Sequence, residues 1–98
     1  MVTKELVKIP MATLDFYKYE EGGLVFYEFD ATECSMPEPM VNAMAGLNMI
    51  KSENDRMVGL FFHEPAPLLA KISPFFSYES QELESGDFRI VFKKLYLL

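Results

Sequence analysis

Apolar and aromatic residues recur in short runs along the first third of the chain, and these runs predict β-strands. Residues 3–9 and 13–20 are rich in β-formers, and residues 24–30 follow as a further run. Glu21-Gly22-Gly23 separates the last two runs and supplies the backbone freedom that a tight turn needs. The simplest interpretation is a β-hairpin over residues 13–30.

Three further strands complete the pattern. Residues 56–62 are nearly all apolar, which is typical of a short strand that is central in a sheet or covered on both faces. Residues 78–84 form a weak, polar strand that suits a sheet edge. After a turn at Ser85-Gly86, apolar residues alternate with polar ones in a final strand that contains Phe88 and Phe92.

Each of the two predicted helices begins at two prolines separated by one residue, at Pro37-Glu38-Pro39 and at Pro65-Ala66-Pro67. Prolines are tolerated there because the first amides of a helix have no acceptor within it. The stripe of the first helix comprises Met40, Met44, Leu47 and Lys51, with Val41 and Asn48 beside it. The corresponding positions of the second helix are Leu68, Leu69, Ile72, Phe75 and Phe76. Pro74 must end or kink this second helix.

These elements predict an α/β two-layer sandwich. Its core is a mixed four-stranded sheet in the order β-α-β-α-β-β, with two helices on one face and an extra N-terminal strand or hairpin. A right-handed crossover makes strands 24–30 and 56–62 parallel.

Composition and charge narrow the function classes. The chain has 98 residues, half of them hydrophobic, so residues 1–98 are expected to be a single domain with one core. The formal net charge is −6 and the only adjacent basic pair is Lys93-Lys94, which argues against nucleic-acid binding because phosphate contacts need a basic face. No apolar run approaches the roughly 18 residues that cross a bilayer, and the N-terminus lacks a signal-peptide pattern. We therefore expect no membrane partner and a cytoplasmic location.

Cysteine and histidine are scarce, which restricts the available chemistry. Cys34 is the only cysteine and His63 the only histidine, so an intrachain disulfide and a four-ligand Cys/His zinc site are excluded within a monomer. A Ser-His-Asp triad would need His63, and no serine lies in a nucleophile-elbow motif. An enzymatic role is not favoured, and no cofactor is expected.

The two proline-marked turns are predicted to form one site. Loops that leave the carboxyl ends of parallel strands emerge along one edge of a sheet, where ligands commonly bind. Both helix N-termini point to that edge, and their dipoles would stabilise an anion, a thiolate or a carboxylate. The predicted site comprises Cys34, Ser35, Met36, Pro37, Glu38, His63, Glu64 and Pro65.

The carboxylates of this site have an alternative interpretation. Glu38 and Glu64 lie at helix starts, where each would cap its own helix and complement its dipole. Ser35 also lies at capping-box spacing from Glu38. In that case neither carboxylate would be available to a ligand.

The segment Asp30-Ala31-Thr32-Glu33-Cys34-Ser35-Met36-Pro37-Glu38-Pro39-Met40 resembles the signature of the TusA/SirA-like sulfur-carrier family. In that signature a strand, an Asp and a short loop precede Cys-Pro-x-Pro at the first helix. His63-Glu64-Pro65-Ala66-Pro67-Leu68 is closer to a sister group of unknown function, which carries His-Asp-Pro-x-Pro-Leu here and usually no cysteine in the first turn. The resemblance covers residues 24–95, leaves residues 1–23 outside the family core, and implies an open mixed sheet with two helices on one face.

One position departs from the family pattern. Met36 stands where the sulfur carriers have the cysteine that carries persulfide sulfur. A thioether cannot be deprotonated and cannot form a persulfide, so the family's activity does not transfer to this position. Cys34, two residues earlier, is the alternative thiol.

Three functions follow as hypotheses. The first is a non-enzymatic binding or regulatory module on a TusA/SirA-like scaffold, with its site at the Met36 and His63 corner. The second is a divergent sulfur or thiol carrier that uses Cys34. The third is a small metal- or cofactor-binding protein that uses His63 with Met36 or Cys34, since this soft set suits thiophilic ions such as copper(I).

The expected partner is another protein or a small ligand. A homodimer is a further hypothesis, formed either through an edge strand or through the apolar tail Leu95-Tyr96-Leu97-Leu98, because exposed apolar groups favour association.

Overall fold

Six strands and two helices make up the fold in a computed structural model that describes residues 2–95. The strands are β1 (Glu5–Val7), β2 (Phe16–Glu21), β3 (Leu24–Ala31), β4 (Asp55–Phe61), β5 (Phe76–Glu82) and β6 (Phe88–Lys94). Helix α1 (Glu38–Leu47) connects β3 to β4, and helix α2 (Ala66–Ile72) connects β4 to β5. Neither helix has the length and apolar character needed to cross a membrane within the described residues.

All six strands belong to one mixed sheet in the order β1-β2-β3-β4-β6-β5. Strands β3 and β4 are parallel, with Phe29 opposite Gly59, and every other neighbouring pair is antiparallel. The predicted hairpin is confirmed, since β2 pairs with β3 around the Gly22-Gly23 turn. The parallel arrangement of strands 24–30 and 56–62 and the edge position of β5 are also confirmed.

The prediction of a four-stranded sheet is wrong, because the N-terminal segment adds two strands to the same sheet, which therefore has six. Strand β2 pairs with the free side of β3, and β1 pairs with β2. Phe16 on β2 is buried and packs against Phe29 with ring centroids 5.0 Å apart. Residues 5–21 therefore contribute to the core as well as to the sheet.

Helix α1 buries small residues beside the predicted stripe, in which Leu47 is buried and Met40 and Met44 pack against the core. Its buried residues are Asn42, Ala43, Ala45, Gly46 and Leu47, whereas Met40 and Met44 are half-buried and Lys51 is exposed. A Cβ at Gly46 would lie 2.8 Å from Met57 Cγ and 2.8 Å from the Phe16 ring. The helix thus approaches the sheet too closely for a larger side chain at this position, which an apolar-stripe argument overlooks.

Helix α2 buries Leu68, Leu69 and Ile72 and ends before Pro74. The predicted continuation to Phe75 is wrong, since Phe75 is exposed and Phe76 begins β5. Buried side chains of both helices join one cluster with inward residues of β2, β3, β4 and β6, so both helices cover the same face.

The chain beyond Leu95 lies outside the described residues, and with it most of the apolar tail predicted as a dimer contact. The backbone N–H of Leu95 donates to the Phe75 carbonyl at 2.9 Å. Strands β1 and β5 are the two edges of the sheet.

Candidate functional site

A pocket of about 480 Å³ lies at the carboxyl ends of the parallel strands β3 and β4, between the two proline-marked turns. Its inner residues Ala31, Phe61 and Leu68 are buried, whereas Met36 and Phe62 are exposed. The lining residues are Ala31, Cys34, Ser35, Met36, Pro39, Met40, Phe61, Phe62, His63, Glu64, Pro65, Pro67 and Leu68. The predicted juxtaposition of Met36 and His63 is therefore present in the structure.

The first turn, residues 32–37, is held by hydrogen bonds within the chain. Asp30 Oδ1 accepts from the backbone N–H of Thr32 at 2.9 Å and from its hydroxyl at 2.6 Å. The Cys34 N–H donates to the Ala31 carbonyl at 3.1 Å. These bonds turn the chain sharply after β3, so that Cys34 comes to lie on the pocket lining.

The second turn, residues 62–65, carries exposed aromatic and polar side chains. The rings of Phe62 and His63 lie 4.4 Å apart between centroids, tilted by 58°. The N–H of Ala66 donates to the Glu64 carbonyl at 2.9 Å, which leads the chain into α2. Phe62, His63 and Glu64 are all exposed at the pocket.

Most of the predicted site residues line this pocket, but two do not. Cys34, Ser35, Met36, His63, Glu64 and Pro65 do so, whereas Pro37 and Glu38 lie outside the lining. Glu38 Oε2 accepts a hydrogen bond of 2.8 Å from the hydroxyl of Thr13. This carboxylate therefore ties the segment before β2 to α1.

The capping interpretation of the two carboxylates is wrong in its details. The N-cap residues are Pro37 for α1 and Pro65 for α2, and no side chain caps either helix. The bond predicted from Ser35 is replaced by a backbone bond, in which the Glu38 N–H donates to the Ser35 carbonyl at 3.2 Å. Proline at the N-cap leaves no side-chain acceptor for the first-turn amides.

Asn42 is a structural residue that the sequence analysis missed. It is fully buried on α1, and its Oδ1 accepts from the backbone N–H groups of Thr13 and Leu14 at 2.8 and 3.0 Å. Its Nδ2 donates to the Thr13 hydroxyl at 2.8 Å and to the Glu38 carbonyl at 2.9 Å. An asparagine among the small residues of the buried helix face was the available signal.

The apolar walls of the pocket were not predicted from the sequence either. They are formed by Ala31, Pro39, Met40, Phe61, Phe62, Pro67 and Leu68. Phe61 and Phe62 directly precede His63, so their place at the end of the predicted strand 56–62 was the signal that could have identified them.

The electrostatic environment of Cys34 opposes the formation of a thiolate. Burial raises the pKa of the Cys34 thiol, and the negative charges of Glu38, Asp30 and Glu33 raise it further. The expected stabilisation of a thiolate at this corner is therefore not supported for Cys34. The direction agrees with a thiol that is not activated.

His63, Met36 and Cys34, the predicted soft metal ligands, all line the pocket. Among residues 2–95, no group of three or more His, Cys, Asp or Glu side chains is arranged to hold a metal ion. A metal site whose ligands include the Met36 thioether stays a prediction.

Comparison with known proteins gives no match, either to a family model, to a curated protein or to a solved structure. The resemblance to TusA/SirA-like carriers therefore rests on the residues of the two turns alone.

Proposed function

We propose that this protein is a non-enzymatic binding module, built on a TusA/SirA-like scaffold, that takes a small and largely apolar ligand between its two turns. The observation that carries the proposal is the pocket of about 480 Å³ at the carboxyl edge of the parallel strands. Ligand pockets typically occupy about 300–1,000 Å³ and are lined mainly by apolar and aromatic side chains.

The lining supports an apolar ligand because its inner wall consists of hydrocarbon and thioether groups. Phe61 and Leu68 are buried there, and Met40 is half-buried. Their contact with a ligand would remove further apolar surface from water, which contributes roughly 25 cal/mol per Å². The polar groups of Ser35, His63 and Glu64 also line the pocket and would orient the ligand.

A binding function is favoured over the sulfur-carrier alternative because neither Met36 nor Cys34 provides a reactive thiolate. Met36 occupies the position of the carrier cysteine, and the pKa of Cys34 is raised by burial and nearby carboxylates. The thiolate is the nucleophile in persulfide chemistry, so a thiol held in its neutral form is a poor carrier.

The test is a titration with Nile red, an uncharged dye whose fluorescence rises in apolar sites. Wild type is compared with Phe62→Ser, which removes an exposed pocket wall, and with Phe75→Ser as a matched control. Phe62 is 57% exposed and Phe75 is 64% exposed, but only Phe62 lines the pocket.

We expect saturable dye binding that Phe62→Ser weakens by about fivefold or more, given the apolar area lost. Phe75→Ser should leave the affinity unchanged. Equal losses in the two variants, or no saturable binding by wild type, would contradict the proposed function.

A further inference from the structure

We propose that the ligand of this pocket is a hydrophobic cation, a molecule with an apolar body and one ammonium group. This inference rests on the proposed function and adds the charge of the ligand to it. The observation that supports this inference is charge complementarity: the pocket is apolar, and its lining includes the carboxylate of Glu64 but no lysine or arginine among residues 2–95.

The two segments that form the pocket contain carboxylates but no lysine or arginine. Residues 30–50 and 57–70 contain neither basic type. Among residues 2–95, no lysine or arginine lines the pocket, whereas Glu64 does. A ligand anion would therefore find no ammonium or guanidinium partner here, and a cation would find an uncompensated carboxylate.

The carboxylates around the first turn are hydrogen-bonded by neutral groups, so their negative charge is not cancelled. Asp30 accepts from Thr32, and Glu38 accepts from the Thr13 hydroxyl. Within the described part of the chain, Glu64 has no salt-bridge partner. Because the inner walls of the pocket are apolar, the charge of Glu64 acts more strongly on a bound ligand than it would in water.

The aromatic wall provides a second form of attraction for a cation. Phe62 is exposed beside the pocket, with the His63 ring 4.4 Å away between centroids. An ammonium group over an aromatic face is attracted by the quadrupole of the ring, whose face is partially negative. The apolar body would pack on Phe61 and Leu68, whose surfaces are uncharged.

The experiment compares three probes of nearly equal shape at low salt. They are naphthylmethyl-trimethylammonium, its uncharged carbon isostere neopentylnaphthalene, and the anion naphthylmethanesulfonate, each titrated by fluorescence. We expect the cation to bind about fivefold or more tightly than the neutral probe, and the anion to bind weakest. High salt should reduce the advantage of the cation.

Two variants locate the origin of this preference. Glu64→Gln removes the carboxylate that lines the pocket, and Glu84→Gln removes an exposed carboxylate elsewhere, so both change the net charge equally. We expect Glu64→Gln to lower the affinity for the cation by about threefold without changing the affinity for the neutral probe. Glu84→Gln should change neither affinity.

The outcomes separate this inference from the proposed function. Equal binding of the cation and the neutral probe, or tightest binding of the anion, would overturn the inference while leaving the apolar pocket as a binding site. Equal effects of Glu64→Gln and Glu84→Gln would also overturn it, because the preference would then come from net charge. Failure of all three probes to bind would contradict the proposed function and the inference together.

Discussion

The two proline-marked turns follow neighbouring parallel strands and lead into helices in the same way, yet they use their polar side chains differently. Around the first turn, Asp30 and Glu38 accept hydrogen bonds from Thr32 and Thr13. In the second turn, the side chains of His63 and Glu64 make no hydrogen bond or salt bridge to other residues in the range 2–95. The first turn is thus fixed by its own polar groups, and the second presents its polar groups to solvent.

The difference indicates that one set of polar groups determines the stability of the fold and another set determines the affinity for a ligand. Polar groups that are already satisfied within the chain stabilise the fold and are not available to a ligand, whereas exposed and unpaired groups beside an apolar pocket are available. Substitutions of Asp30 and Glu38, which are hydrogen-bonded around the first turn, should therefore change the free energy of unfolding. Substitutions in the second turn should change ligand affinity.

The largest effect is expected from Asn42→Ala, which removes the buried amide that holds the segment before β2 against α1. The change leaves the N–H groups of Thr13 and Leu14 without their acceptor. We expect the free energy of unfolding to fall by about 3 kcal/mol, since each unsatisfied buried group costs roughly 1–3 kcal/mol. Equilibrium denaturation by urea measures this free energy of unfolding.

Asn48→Ala is the matched control, because Asn48 is exposed at the end of the same helix. Its effect should stay within about 0.5 kcal/mol. If the two asparagine variants lose equal stability, the segment before β2 is not anchored to α1 through Asn42.

A smaller effect is expected from the two carboxylates, which form a matched pair across the turns. Glu38→Ala removes the acceptor of the Thr13 hydroxyl and should cost about 1 kcal/mol of folding stability. Glu64→Ala removes an exposed side chain and should change stability by less than about 0.5 kcal/mol. The reverse order in urea denaturation would invalidate the contrast between the two turns.

The smallest effect concerns the reactivity of Cys34. Burial and the charges of Glu38, Asp30 and Glu33 raise the thiol pKa, and only the thiolate is alkylated, so the reaction should require a higher pH than for a free cysteine. Glu38→Gln should shift the midpoint of the rate–pH profile to lower pH, because it removes one of the charges that raise this pKa. A wild-type midpoint below the roughly 8.5 of a free cysteine would show an activated thiol and restore the sulfur-carrier hypothesis.

The arrangement of the strands was predictable because local signals and chain connectivity agree. The Gly22-Gly23 turn determines the hairpin, and a helical crossover makes β3 and β4 parallel. From the parallel pair it follows that the two turns meet, which is how Met36 and His63 could be placed together before the structure was known.

The parts that were not predicted depend on contacts distant in sequence. That β2 completes the core depends on the packing of Phe16 against Phe29 and Gly46, which no local pattern shows. The engagement of Glu38 with Thr13 likewise joins residues 25 positions apart, so the sequence left Glu38 equally suited to a ligand or a cap.

The central claim is that the pocket between the two turns is the binding site, and methionine methyl NMR tests it most directly. Met36 and Met40 line the pocket, whereas Met11 is 83% exposed and lies outside it. In methyl-labelled protein titrated with Nile red, we predict shifts of the Met36 and Met40 signals that saturate with the fluorescence, and no change at Met11. A shift at Met11 as large as those at Met36 and Met40, or unchanged Met36 and Met40 signals at saturating dye, would contradict the claim.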